Sequence, residues 1–207
     1  MKKVFSSHSE CAHVWAQQKQ YEGRAHSMFF EKESIYSYGH HFKIAEFIRP
    51  NVVLYNGRSY SSSTSKHQAY VCGALRGLNV EVIHVPWVAS EGKVAISECC
   101  DRMMDRAEEA MKSAIKAITR TDYYKQAAGR EIASLEAYLL YVKGMTPKQW
   151  ARLRSLKKMI TSDDFTKLKP IVKAESEATK KRNAECKAAM AERARVEALK
   201  YEERLAE

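Results

Sequence analysis

The chain has 207 residues, 45% hydrophobic and 29% charged, which excludes an intrinsically disordered chain and leaves room for one domain, or one domain with an appendage. Lys and Arg number 35 against 25 Asp and Glu, a net charge of +10, which favours polyanionic partners, nucleic acid before an anionic membrane surface. The excess is spread along the chain (10 basic and 6 acidic side chains over 1–90, 14 and 11 over 91–165, 11 and 8 over 166–207), so a neutral domain with a basic tail is excluded.

The start, M-K-K-V-F-S-S-H, lacks the apolar run of a signal peptide. S-H-S-E-C-A-H-V-W-A-Q-Q-K-Q (7–20) predicts a short helix capped by Ser7 or Ser9. A-H-S-M-F-F (25–30) predicts a hairpin turning through E-K-E-S into I-Y-S-Y (35–38). F-K-I-A-E-F-I-R (42–49) reads as one or two helical turns ended by Pro50. N-V-V-L-Y (51–55) predicts a second hairpin, turning at Asn56-Gly57 into R-S-Y-S (58–61), because both turn residues tolerate positive φ. A helix over 63–76 capped by Ser63 or Thr64 follows, then an alternating strand V-E-V-I-H-V (80–85) closed by Pro86.

Beyond residue 90 the composition turns to Ala, Glu, Lys, Arg and Met. Over 97–118, Cys100, Met103, Met104, Ala107, Met111, Ala114, Ile115 and Ile118 recur at three- and four-residue spacing, the stripe of a buried helix. Thr121 or Asp122 is expected to cap a second helix through Val142, ended by Gly144. Thr146-Pro147 starts a third that reaches about Ile160. S-D-D-F (162–165) starts the next, with an interruption near Pro170. An unbroken helix follows from Ile171, its apolar positions (Ala174, Ala178, Ala188, Ala191, Ala198, Leu205) small and its heptad imperfect, suited to self-association, to a partner or to solvent. The expected fold is α+β: a small, mostly antiparallel sheet with short helices in 1–90, a helical region packed on it in 91–165, and a long charged C-terminal helix in 166–207.

The stretch I-Y-S-Y-G-H-H-F (35–42) carries the strongest functional signal. On a strand Tyr36, Tyr38 and His40 share a face, and Tyr60 and Arg58 lie by the second turn. Rings to stack bases and cations for phosphates are what single-stranded nucleic acid requires; the alternative is that the rings are core. The expected binding set is Tyr36, Tyr38 and Tyr60 for bases, and Arg24, Lys43, Arg58 and Lys66 for phosphates, assisted by His40 and His67. The S-S-S-T-S-K-H run (61–67) offers helix N–H groups to a phosphodiester but lacks the glycines of a nucleotide-cradling loop. Lys180, Lys181 and Arg182 form a secondary cationic edge, against the alternative of a solvated face balanced by glutamates. His40, His41 and His67 suggest acid–base chemistry on a phosphodiester, but no paired carboxylates accompany them. His8, Cys11 and His13 lack a fourth ligand for a metal. Five cysteines without a Cys-x-x-Cys argue against a disulfide framework. No catalytic residue, cofactor, metal or membrane span is expected, and the expected location is the cytoplasm.

The strings S-I-Y-S-Y-G-H-H-F-K-I-A (34–45) and V-V-L-Y-N-G-R-S-Y-S-S-S-T-S-K-H-Q (52–68) resemble small proteins of tailed bacteriophages and mobile elements. Among them the chain resembles a single-stranded-DNA-binding cofactor of a phage RNA polymerase, of a fold unlike the five-stranded barrel. The resemblance implies non-enzymatic binding of exposed strands, contact with a polymerase and a bacterial host cytoplasm; it assigns no individual residues. The rival expectations are a factor that binds a host protein through its helical half and a nuclease using the three histidines.

Overall fold

A computed structural model describes residues 2–206, and side chains through residue 196. Helix α1 (His8–Ala16) is capped by Ser7, whose side chain accepts from the Glu10 N–H. Six strands follow in spatial order β1 to β6: β1 (Glu22–Ala25), β2 (Met28–Glu31), β3 (Ser34–Ser37), β4 (Lys43–Arg49), β5 (Val52–Asn56) and β6 (Glu81–Val85). The first five pair antiparallel, and β6 runs parallel to β5. That reversal needs a crossover, which α2 (Ser62–Leu75) supplies.

Two sequence expectations fail in this sheet. Residues 42–49 are not helical; they form β4 between β3 and β5. The short apolar string fits either period, and two flanking strands decide for extension. A register shift opposite Ile35/Tyr36 leaves Ile44 and Ala45 both buried, which blurs the period-two signal. Nor is Asn56-Gly57 a hairpin turn. The Gly57 N–H donates to Val85 O at 2.8 Å. The Asn56 side chain donates to Lys43 O at 3.1 Å and accepts from the Arg58 N–H at 2.9 Å. Gln68 Nε2 donates to Asn56 O and Arg58 O. These groups belong to β4, β6 and α2, so residues 58–61 have no strand to join. The α2 cap is Ser61, not Ser63 or Thr64.

The second half is helical: α3 (Lys93–Lys116), α4 (Thr121–Tyr141), α5 (Pro147–Ser162), a 3-10 turn (Thr166–Leu168) and α6 (Lys169–Ala206). Cys100, Met103, Met104, Ala107, Met111 and Ala114 are buried as the stripe requires. Ile118 lies beyond the end of α3 and is fully exposed. Neither Thr121 nor Asp122 caps α4; Arg120, in a left-handed conformation, holds that position. Thr146 caps α5 in a box with Gln149, whose amide also donates to Ser97 O on α3 at 3.0 Å. Asp163 ends α5, and the rest of 162–165 leads into the next helical segment through a 3-10 turn with Phe165 at its N-cap, while Asp164 accepts from the Thr166 N–H. Pro170 sits in the first turn of α6, where its missing N–H is harmless, so no interruption occurs.

Two cores lie on opposite faces of the sheet. Val53 and Tyr55 of β5 enter one with α1 and α2; Val52 and Leu54 enter the other with α3, α4 and α5. Ile83 and Val85 of β6 join the helical side, and Val82 packs on the first. The buried hydrophobic residues of β1, β2 and β3 (Ala25, Met28, Phe30 and Ile35) all belong to the core built with α1 and α2. The helical layer therefore covers only the β5–β6 half of its face. No described helix is long and apolar enough to cross a membrane.

The α3 stripe makes a direct prediction. Met111→Ala, at a fully buried position, lowers unfolding free energy by about 2–5 kcal/mol; Ile118→Ser changes it by less than about 0.5 kcal/mol. Denaturant titration of both variants checks the pair.

Candidate nucleic-acid interface

Alternation along β1–β3 decides what the uncovered face presents. Ala25, Met28, Phe30 and Ile35 go to the core, so Arg24, Phe29 and Tyr36 stand opposite. Cross-strand register aligns Arg24 with Phe29, Phe29 with Tyr36, and Tyr36 with Lys43. The Phe29 and Tyr36 rings stack at 5.1 Å and 18°. His40 lies 5.0 Å from Phe29 and 4.9 Å from Tyr36. Lys43 Nζ is 6.0 Å from the Tyr36 ring and 3.2 Å from Glu46. Three rings are thus flanked by two cations on half a sheet. Glu46 marks the edge of the platform: its carboxylate accepts from Ser34 at 3.3 Å and from Ser90, in the connection to α3, at 2.6 Å.

Tyr38 does not share this face. β3 ends at Ser37, and Tyr38 has φ +63°, which breaks the alternation. It is 59% exposed, and its ring lies 5.5 Å from His67. His67 cannot meet a phosphate from where it is: it is 3% exposed, with Nδ1 2.7 Å from Ser37 Oγ and Nε2 3.4 Å from Ser27 Oγ. Helical periodicity points it inward from α2, while Lys66 beside it is exposed. The three histidines of the acid–base reading are not brought together. His40 packs on Phe29 and Tyr36, whereas the neighbours of His67 are Tyr38 and His8.

Arg58 and Tyr60 are exposed in the loop before α2, with Tyr60 5.4 Å from Phe42. Lys180, Lys181 and Arg182 lie on the exposed stretch of α6, beyond its contact with α3. Ala174, Ala178, Ala188 and Ala191 are exposed there too; the side chains of Ala198 and Leu205 lie outside the described residues. Sequence reasoning missed β1, and with it the pairing that brings Arg24 beside Phe29. It also missed a histidine cluster: the His8 ring lies 4.5 Å from His67, 5.6 Å from His26 and 6.0 Å from Tyr70. His8 Nε2 is buried without a hydrogen-bond partner among the described residues. The three imidazoles come from α1, the β1–β2 turn and α2, so no local motif announces them. Among the described residues no group of His, Cys, Asp and Glu is placed to hold a metal ion.

Burial, and then a neighbouring imidazole, holds the pKa of His8 and of His67 below the ordinary histidine value. Both stay neutral in the fold where the unfolded chain takes up protons. Stability is therefore full above about pH 6.5 and falls as the pH drops below it. Denaturant midpoints from pH 7.5 to 5 should decline, and His67→Gln should flatten part of that decline; an unchanged slope would exclude His67 as a source.

Comparison with protein-family models, with curated proteins and with solved structures gives no match, so the reading of this face rests on its own geometry.

Proposed function

We propose that the chain is a non-enzymatic single-stranded DNA-binding protein whose platform is the open half of the sheet. The observation that carries this reading is the stacked pair of Phe29 and Tyr36, with His40 packed edge-on against it, between Arg24 and Lys43. Base stacking on such rings contributes about 1–3 kcal/mol per base and tolerates sequence, because every base has a π-face. A row of half-exposed rings suits splayed bases; a duplex hides those faces in its stack. The +10 charge supplies long-range attraction to phosphates. Arg58, Tyr60 and Lys66, exposed at the start of α2 on the other side of the sheet, offer a separate cationic and aromatic contact.

A second reading concerns α6. Residues 176–196 are all exposed, and ion pairs of Glu175 with Lys112 at 2.6 Å and Lys116 at 3.5 Å tie the helix to α3 just before that stretch. A helix held at one end and solvated along the rest offers a surface to a second protein. A phage RNA polymerase, a host protein or another copy of this chain is the proposed partner.

A titration of fluorescent single-stranded oligonucleotide, at low and high salt with duplex as competitor, tests the first reading. Tight binding that weakens steeply with salt and resists duplex competition is expected. Tyr36→Ala should weaken it by about 1–3 kcal/mol, roughly 5- to 150-fold in Kd. Absence of binding at low salt would refute the platform. Incubation of labelled DNA with a divalent cation should leave it uncut; cleavage would restore the nuclease reading. Removing residues 171–207 should leave DNA affinity intact and abolish partner binding.

A further inference from the structure

We infer that a cleft beside the platform takes one unpaired base and favours bases that carry an amino group on their pairing edge. This rests on the single-stranded reading above and adds a recognition site to it. The cleft has a volume of about 450 Å³, within the roughly 300–1,000 Å³ usual for small-ligand sites. Arg24, Phe29, Glu22, Glu31, His26 and Tyr38 are among its lining residues. It shares Arg24 and Phe29 with the platform, so a strand crossing the stacked rings passes its mouth.

The charge arrangement points to the ligand. Glu22 and Glu31 stand directly opposite each other on β1 and β2. Like charges at such a pair destabilise a sheet. Each has a polar partner on one oxygen only: Lys3 bonds Glu22 Oε1, and His40 Nε2 lies 3.1 Å from Glu31 Oε2. Glu22 Oε2 and Glu31 Oε1 accept no hydrogen bond among the described residues. Two acceptors therefore line a cleft that also holds the Phe29 ring and a guanidinium.

A carboxylate only accepts. Cytosine and adenine present an exocyclic amino donor on the pairing edge, and guanine presents two donors. Thymine and uracil present carbonyl oxygens on either side of one N–H, which a carboxylate repels. Acceptance by glutamate from the cytosine amino group is an established pairing geometry. Arg24 is placed to meet the flanking phosphate.

The test compares single-stranded dC, dA and dT oligonucleotides of one length at one salt concentration, by fluorescence anisotropy with the full chain. Binding of dC and dA at least about fivefold tighter than dT is expected. The dC–dT pair is decisive, since both are pyrimidines and stacking differs little between them. Glu31→Gln and Glu22→Gln should each shrink the dC-over-dT ratio, because an amide donates to a carbonyl as readily as it accepts; thermal melting checks that the variants fold. Equal affinity for the three oligonucleotides, or a ratio unmoved in both variants, overturns the inference while leaving the platform standing. Failure of every oligonucleotide to bind overturns both.

Discussion

Strand β5 is buried on both faces, and the rest of the molecule is arranged around that burial. Its alternate residues belong to two separate cores, one built with α1 and α2, the other with α3, α4 and α5. A strand sealed on both sides carries an almost continuous apolar run, as V-V-L-Y does. Its polar ends must then be satisfied within the protein. Asn56, at the end of β5, does this through β4, and Gln68 of α2 reaches back to Asn56 O. The same strand accepts β6 in parallel, which commits the chain to the α2 crossover.

The open platform is a consequence of that arrangement. The helical layer is centred on β5 and β6 and packs no buried residue against β1–β3. Those three strands keep a core on one side only, so they alternate apolar inward with Arg24, Phe29, Tyr36 and Glu31 outward. Glu46 closes the border by bonding Ser34 on the open side and Ser90 on the covered one. The cations of the platform are only partly neutralised. Lys43 has Glu46 as an ion-pair partner, while among the described residues Arg24 has no carboxylate within salt-bridge distance.

Backbone strain gathers beside this face. His26, in the β1–β2 turn, and Tyr38, after β3, both have positive φ. For a bulky residue such as tyrosine that conformation is uncommon and persists only where surrounding contacts hold it. Here a hydrogen bond from the Tyr38 N–H to Ser27 O at 2.6 Å and the packing of the Tyr38 ring on His67 do so. The result turns Tyr38 away from Tyr36 and into the wall of the cleft.

The sequence by itself determined the class of the fold, the first hairpin, and most of the helices with their apolar stripes. These rest on local chemistry: Ser7 and Thr146 as caps, Pro147 in a first turn, and methionines and alanines at helical spacing along α3. It also singled out Tyr36, His40 and Lys43, because aromatic and basic residues crowded into one short stretch are visible without a partner. Only the tertiary structure decided the rest. Residues 42–49 became a strand because two neighbours offered their edges, and Asn56-Gly57 lost its hairpin because β4, β6 and α2 took its hydrogen bonds. His67 went inside because the face of α2 it occupies meets Ser27 and Ser37. Arg24 reached Phe29, and Glu22 came to face Glu31, through a pairing of β1 with β2 that no short motif encodes. Which side of the sheet stays open depends on where α3–α5 settle, and that is set by β5 and β6, long after the tyrosines in the chain.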